Sequence, residues 1–308
     1  MAITAAQVKQ LREMTGSGMM ACKKALEATD GDMDKAIEYL REKGLAAAQK
    51  KAARIAAEGM SFTEVVDGDK KGVILEVNSE SDFVAKNEKF QNYVKAVADQ
   101  LLESEAADVE VFLEEPWKLD PQLTVAQELS EQISVIGEKL SIRRFEKLTA
   151  ENGCVVAYLH GGGRIAVLVQ ADTEVVNDEV KEALKNVAMQ IAALKPLYIG
   201  REDVDQDFIE KERAILKQQA MNENPGKPEN IIDKMIIGRL NKELKDFCLL
   251  EQPYVKDNEL TVAKYLQKVG KDNGTAIVLK KYFRFETGEG MQHREENFAE
   301  EVAKQMNK

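Results

Sequence analysis

The chain has few of the residues on which enzyme active sites and metal centres depend. Among its 308 residues there are two histidines, His160 and His293, and neither has a second histidine or a cysteine at metal-ligand spacing. No G-x-x-x-x-G-K-[ST] phosphate loop occurs, and the glycine-rich run HGGGR (160–164) joins two strand-like segments, which favours a hairpin turn over a phosphate cradle. A carboxylate pair assembled by the fold remains open. The sequence therefore favours a protein that is not an enzyme and has neither cofactor nor metal.

Cysteine is also scarce. The three cysteines, Cys22, Cys154 and Cys248, are odd in number and far apart, which indicates reduced, buried thiols. The first ten residues lack the apolar run of a signal peptide, and no segment approaches the roughly 20 apolar residues that span a bilayer. We therefore expect a cytoplasmic protein with no membrane partner.

Positive charge is in short supply relative to negative charge. Lys and Arg total 43 against 54 Asp and Glu, so the net charge is −11 and a phosphate backbone would be repelled except at a local basic patch. The one concentrated basic stretch, QKKAAR (49–54), has the alanine spacing of a solvated helical connector. Direct binding to nucleic acid is therefore not expected.

The pattern at the N-terminus predicts a helical docking module. Residues 1–44 contain three helical segments, separated by a glycine break at 15–18 and by a turn at 29–32, and the third segment is predicted to end at Gly44. Residues 45–57 are rich in alanine and predict a helical linker.

Two segments of the central region share one local plan. In each, an apolar strand leads through a loop to an amphipathic helix and has an upstream strand with which to form a hairpin. The predicted strand pairs are 61–66 with 72–77, and 154–159 with 164–169. This predicts an α+β class with two related core subdomains, 58–149 and 150–290. The first connecting loop is two residues longer than the second, with the excess around Asp82 and Phe83.

The region after Pro196 predicts an antiparallel helical hairpin, 205–248, which lies within the second subdomain and is interrupted by NENPGKPEN (222–230). Its apolar stripes are narrow, so the hairpin either projects and pairs with a second one, allowing self-association, or packs back on its own core. A strand pattern at 275–285 and a C-terminal helical module, 291–308, complete the predicted architecture.

The loop after the first apolar strand contains an aromatic residue, Phe83, between Asp82 and Lys86. An exposed aromatic side chain can anchor in a partner's pocket, because it buries much area at a low entropy cost. The alternative is that Phe83 folds back on its own helix as a hydrophobic staple. Asp82 either caps a short helix or presents its charge to a partner.

The sequence SDFVAK (81–86) resembles the T-D-F-V-A-[KR] motif of the bacterial elongation factor Ts family, with serine in place of threonine. Further segments look like signatures of that family in the same order, so the resemblance covers nearly the whole chain; they are 8–26, 136–144, 160–165 and 284–290. The resemblance implies a ubiquitin-associated-type N-terminal module. Residues 103–127 look longer than in some relatives and have no assigned role.

Members of that family are guanine-nucleotide exchange factors, so the resemblance implies elongation factor Tu as partner and an activity without covalent chemistry. By the same match, Phe83 with Asp82 enters a crevice of the partner's G domain and disturbs its Mg²⁺ and phosphate site. The positions that match partner contacts are Ser81, Asp82, Phe83, Val84, Arg12, Met19, Met20, Ile136, His160 and Met235. Core positions are an equal alternative for Met19, Met20 and Ile136. The rival function is a non-enzymatic adaptor or assembly protein that uses the N-terminal module and the hairpin, and a metabolic enzyme is the third.

Overall fold

The computed structural model describes residues 3–292 and confirms the α+β class. The helices are α1 (Ala5–Thr15), α2 (Met19–Ala28), α3 (Met33–Lys51), α4 (Asp82–Ala85), α5 (Glu88–Leu101), α6 (Val109–Glu114), α7 (Val125–Ile136), α8 (Asp178–Leu194), α9 (Gln206–Glu223), α10 (Glu229–Phe247) and α11 (Val262–Asp272). The strands are β1 (Glu58–Val66), β2 (Lys71–Ser79), β3 (Pro116–Trp117), β4 (Asp120–Thr124), β5 (Ser141–Thr149), β6 (Cys154–His160), β7 (Ile165–Asp172), β8 (Pro253–Tyr254), β9 (Asp257–Thr261) and β10 (Val278–Glu286). Most of the predicted C-terminal module, 293–308, lies outside the described residues.

The first three helices pack into the small module that the sequence predicts. The Thr4 side chain caps α1 by accepting a hydrogen bond from the Gln7 N–H at 3.2 Å, and Gly16 ends that helix with a φ of 66°. Asp32 caps α3 by accepting from the Lys35 N–H at 3.1 Å. The buried interior of the module consists of Leu11, Cys22, Ala25, Leu26 and Ala36.

Helix α3 continues through Gly44 to Lys51, so the prediction that it ends at Gly44 is wrong. Gly44 lies where α3 packs against α7, since a Cβ atom there would be 3.6 Å from the Ser134 Cβ and 3.7 Å from the Ser130 carbonyl oxygen. The glycine therefore allows close approach of two helices rather than ending one. The predicted linker, 45–57, is helical only as far as Lys51.

The core consists of two antiparallel three-stranded sheets with the same strand order, β1-β2-β5 and β6-β7-β10. Helix α5 covers one face of the first sheet and α8 covers one face of the second. The opposite faces meet in a shared interior formed by Ile74, Leu148, Ala150, Val155, Ala166, Leu168 and Phe285. Gly72 lies where the two sheets approach each other closely, because a Cβ atom there would be 2.8 Å from Cγ1 of Val155. The two predicted strand-and-helix repeats are confirmed.

The repeat extends further than the sequence reading recognised. A short β-hairpin precedes a helix in both subdomains, with β3 and β4 before α7, and with β8 and β9 before α11. The two hairpins have the same register: Pro116 pairs with Thr124 and Trp117 with Asp120, and Pro253 pairs with Thr261 and Tyr254 with Asp257. The sequences are PWKLDPQLTVAQEL (116–129) and PYVKDNELTVAKYL (253–266). Residues 116–127, the second half of the segment without an assigned role, therefore belong to one copy of a duplicated element.

A buried glutamine holds each of these hairpins. Gln100 of α5 donates to the Pro116 carbonyl oxygen at 3.0 Å and accepts from the Lys118 N–H at 3.0 Å. Gln190 of α8 makes the same pair of bonds, to the Pro253 carbonyl oxygen and from the Val255 N–H, both at 3.1 Å. Each side chain satisfies two backbone groups that a short hairpin cannot pair by itself.

Replacement of Gln190 by alanine is expected to lower the free energy of unfolding by about 2–3 kcal/mol, because buried backbone groups lose their partners. The measurement is urea denaturation followed by circular dichroism. The matched control is Gln218→Ala, at an exposed position on α9, which should change the free energy by less than about 0.5 kcal/mol. Equal denaturation midpoints for the two variants would contradict the prediction.

The predicted helical hairpin, α9 and α10, is inserted between α8 and β8. Its interior is formed within the hairpin itself by Leu216, Ala220, Ile232, Ile236, Leu240 and Leu244. The chain enters and leaves at one place, where the Leu249 N–H donates to the Tyr198 carbonyl oxygen and the Leu250 N–H donates to that of Ile199, each at 2.9 Å. This favours the projecting arrangement; self-association through the hairpin stays a prediction.

Candidate functional site

The motif at 81–86 forms one helical turn, α4, rather than the predicted loop. Ser81 occupies the N-cap position, so the interpretation of Asp82 as the cap is wrong. Val84 is 8% exposed and packs into the core beneath α5, whereas Phe83 is 80% exposed. The interpretation of Phe83 as a staple folded onto its own helix is therefore also wrong. The connection that holds this turn, 80–87, exceeds its counterpart, 173–177, by three residues rather than by the predicted two.

The charge beside Phe83 is a paired carboxylate. Lys86 Nζ lies 2.7 Å from the Asp82 carboxylate, one turn along the chain, and 6.0 Å from the centroid of the Phe83 ring. The hydrogen bond from Lys86 holds the pKa of Asp82 below its ordinary value. Asp82 is therefore ionised near neutral pH, and the turn presents an aromatic ring flanked by an exposed ion pair.

Glu138 fastens the start of this turn to the end of α7. Its Oε2 accepts hydrogen bonds from the N–H groups of Glu80 and Ser81, at 3.1 and 3.0 Å, and its Oε1 accepts from the Ser81 hydroxyl at 2.7 Å. The serine that replaces threonine in the motif therefore uses its β-hydroxyl. Ile136, another predicted contact residue, is the last residue of α7 and lies two residues before Glu138 along the chain.

A second carboxylate, that of Glu80, joins the same turn to the end of α3. It accepts from the Lys139 N–H at 2.6 Å and from Arg54 at 3.2 Å. The Lys139 ammonium donates in turn to the carbonyl oxygens of Ala52 and Arg54, at 2.7 and 2.8 Å. The sequence analysis did not identify Glu138 and Lys139 as part of the site. Their only signal in the sequence is that a glutamate and a lysine follow Gly137, which ends a helix.

The predicted contact residues of the N-terminal module lie on its surface. Met19 and Met20 are 59% and 65% exposed, so the interpretation of these two side chains as core residues is wrong. Arg12 is exposed near the end of α1. The module therefore presents two flexible apolar side chains, together with a cation, to solvent.

The remaining predicted contacts lie on three separate elements. Ile136 is half-buried against the first core, as the interpretation of it as a core residue requires. His160 is exposed at the end of β6, and its Nδ1 lies 3.0 Å from the Tyr158 hydroxyl. Met235 is half-buried on α10. The predicted contact residues that the structure places on one turn are thus Ser81 to Val84, and Ile136 packs against the same core as Val84.

Glu76 is a fully buried carboxylate of β2 with hydrogen bonds on both oxygens. It accepts from Arg143 at 2.9 Å, Arg144 at 2.7 Å, Asn78 at 2.9 Å and the Gly288 N–H at 2.8 Å. Burial raises the pKa of Glu76, but these donors outweigh burial and hold it below the ordinary value. Glu76 therefore joins two of the family-like segments, 136–144 and 284–290, as a structural anion.

The described part of the chain offers no metal centre and no membrane-spanning helix. Within residues 3–292, no group of three or more His, Cys, Asp or Glu side chains is arranged to hold a metal ion. In the same range, no helix combines the length and the apolar character needed to cross a bilayer. The three cysteines are buried and unpaired by disulfides, as predicted.

The fold and the site define a protein that presents an exposed aromatic side chain on a firmly held turn of a duplicated α+β core. The family model for elongation factor Ts matches residues 80–289. The chain is 50% identical to elongation factor Ts of Clostridium novyi (strain NT) over 305 residues, which are 99% of each protein. It is 52% identical to that of Clostridium perfringens (strain 13 / Type A) over 302 residues, which are 98% of each. The chain belongs to the elongation factor Ts family, which confirms the resemblance found in the sequence.

Proposed function

We propose that the protein is a guanine-nucleotide exchange factor that binds elongation factor Tu and promotes the release of GDP during translation elongation. The observation that carries this proposal is the exposure of Phe83 on a held turn, in a chain that belongs to the elongation factor Ts family. An aromatic ring presented on a firmly held turn buries a large area at a low entropy cost when a partner covers it, so Phe83 is suited to anchor in a partner's pocket.

Exchange of this kind requires no covalent chemistry. The factor binds the nucleotide-free state of the GTPase more tightly than the nucleotide-bound state. By linkage, the factor weakens nucleotide binding as much as nucleotide weakens binding of the factor. A short-lived complex of all three components then allows GDP to leave. The protein accordingly needs complementary surface rather than nucleophiles, acids or bases.

The Phe83 ring is proposed to act as a wedge in a crevice of the partner's G domain, with the ionised Asp82 beside it. In such GTPases Mg²⁺ bridges the phosphates of the nucleotide to protein ligands, so a shift of the helices that carry those ligands weakens the hold on GDP. Ser81 and Val84 support the wedge, because one is bonded to Glu138 and the other is buried in the core.

Further contacts are proposed to supply affinity around the wedge. Arg12, Met19 and Met20 present exposed side chains, and methionine adapts its shape readily to a partner surface. Ile136 and His160 are proposed as contacts of the core, and Met235 as a contact of the helical hairpin. Direct contact with nucleic acid is not expected, given the net charge of −11.

The proposal predicts that this protein accelerates the release of a fluorescent GDP from purified elongation factor Tu. The acceleration should occur at concentrations of the factor that are orders of magnitude below the concentration of elongation factor Tu. The measurement is stopped-flow fluorescence with excess unlabelled GDP, at several concentrations of the factor. Repeated turnover by substoichiometric factor supports exchange catalysis. An unchanged rate, with a partner that binds and hydrolyses GTP normally, would instead favour the adaptor function.

A further inference from the structure

The turn that carries Phe83 is too short to fix its own direction. Helix α4 has four residues, and helices of this length are not stable in isolation. Its C-terminal half is held by Val84 in the core, but this leaves the path of the chain into the helix to be set by other contacts. The orientation of the Phe83 side chain depends on that path, since the ring leaves the backbone only two residues after Ser81.

The usual device for the start of a helix is absent from α4. An N-cap serine normally accepts a hydrogen bond from a backbone N–H of the first turn, but the Ser81 side chain makes no such bond. Its hydroxyl donates to Glu138 instead, and the same carboxylate accepts from the N–H groups of Glu80 and Ser81. One side chain from a distant segment thus fixes two successive peptide groups and the cap residue.

Glu138 is itself held in place. Gly137 ends α7 with a φ of 90°, which aims the following chain at the turn. The next residue, Lys139, donates its N–H to the Glu80 carboxylate and its ammonium to the end of α3. The two segments therefore bind each other reciprocally, with Glu138 bonded to the backbone at 80–81 and Glu80 bonded to the backbone at Lys139.

We infer that Glu138 is a positioning residue for nucleotide exchange, which holds the Phe83 turn in the orientation that enters the partner. This inference rests on the proposed function. Glu138 acts through Phe83: a turn that is already oriented loses less conformational entropy on binding and delivers the ring at the right angle. Glu138 contributes to exchange through the positions of its two carboxylate oxygens as hydrogen-bond acceptors, rather than through its negative charge alone.

The test compares three single variants in the stopped-flow assay of GDP release. Glu138→Ala removes all three bonds and is expected to lower the stimulated rate about tenfold. Glu138→Gln keeps the shape, because its amide oxygen can accept both N–H bonds while its amide nitrogen donates to the Ser81 hydroxyl; it should stay within about twofold of the parent. Glu146→Ala, at an exposed position on β5, is the matched control and should leave the rate unchanged.

A double variant separates positioning from general stability. If Glu138 acts through Phe83, then Glu138→Ala should cause no further loss in a Phe83→Ala background. Ser81→Ala removes only the hydroxyl contact and should lower the stimulated rate of GDP release about threefold, again with no further loss in a Phe83→Ala background. This variant replaces Glu138→Ala in the test if Glu138→Ala does not fold. Two results would overturn this inference and leave the proposed function in place. One is full activity of Glu138→Ala when Phe83→Ala is impaired, and the other is an additive loss of activity in the double variant. Full activity of Phe83→Ala would overturn the proposed wedge and this inference together.

Discussion

Replacement of Phe83 by alanine is expected to slow stimulated GDP release from elongation factor Tu by at least about tenfold. The ring is 80% exposed, so its removal deletes surface available to a partner and little of the protein's own packing. The free energy of unfolding should change by less than about 0.5 kcal/mol. Stopped-flow fluorescence measures the first effect, and urea denaturation of the same preparation measures the second.

The control for this variant is another exposed apolar side chain. Leu119 is 73% exposed in the turn between β3 and β4, and Leu119→Ala should release GDP at the parental rate. A comparable loss in both variants would indicate a general effect of exposed apolar surface. A parental rate for Phe83→Ala would remove the wedge from the mechanism, whatever the protein's affinity for its partner.

The largest effect on stability is expected at Glu76. Replacement by alanine leaves Arg143, Arg144 and the Gly288 N–H without their common acceptor. Removal of one member of a buried ionic cluster typically costs several kcal/mol, and since both arginines keep some solvent contact we expect a loss of about 3 kcal/mol. Urea denaturation at pH 7 measures the loss, with exposed Glu146→Ala as the control. Coincident denaturation curves for the two variants would show that the cluster contributes no net stability.

The same carboxylate predicts a dependence on pH. The folded pKa of Glu76 lies below its ordinary value of 4.5, so the unfolded chain binds more protons in the interval between the two. Its contribution is therefore complete above about pH 4.5 and is lost as the pH falls through the folded pKa. The difference in unfolding free energy between the parent and Glu76→Ala should narrow in acid. A difference that stays constant from pH 7 to about pH 3 would contradict this assignment.

Much of the architecture could be read from local patterns. Periodic apolar positions and caps predicted the N-terminal helices, and two apolar runs, each with an upstream partner strand, predicted the hairpins of the two sheets. Residues adjacent along the chain determine these elements, so the sequence carries the signal directly. The family could also be recognised, because its short motifs occur in order along the chain.

Features that depend on distant partners could not be read in this way. Gly44 resembles a helix terminator, and only the position of Ser134 on another helix shows that it serves packing. Glu138 and Ser81 lie 57 residues apart, and nothing in either segment indicates that they bond. The exposure of Phe83 likewise depends on Val84 taking the buried position beside it. The repeated β-hairpins could have been predicted, since two similar stretches of sequence form them. However, each hairpin has one strand of two residues and one of five, which are too short to show a strand pattern.

The place at which the helical hairpin enters and leaves bears on how this chain can change over evolutionary time. In the first subdomain, the equivalent connection between Leu101 and Pro116 contains only the short helix α6, so the same fold exists without the insertion. Since the two ends of the hairpin are already joined at residues 198–199 and 249–250, additional length there adds little loop-closure entropy. Insertions and deletions within the hairpin are therefore expected to leave the duplicated core folded, so the arm can be lengthened or shortened without a change at the turn that carries Phe83.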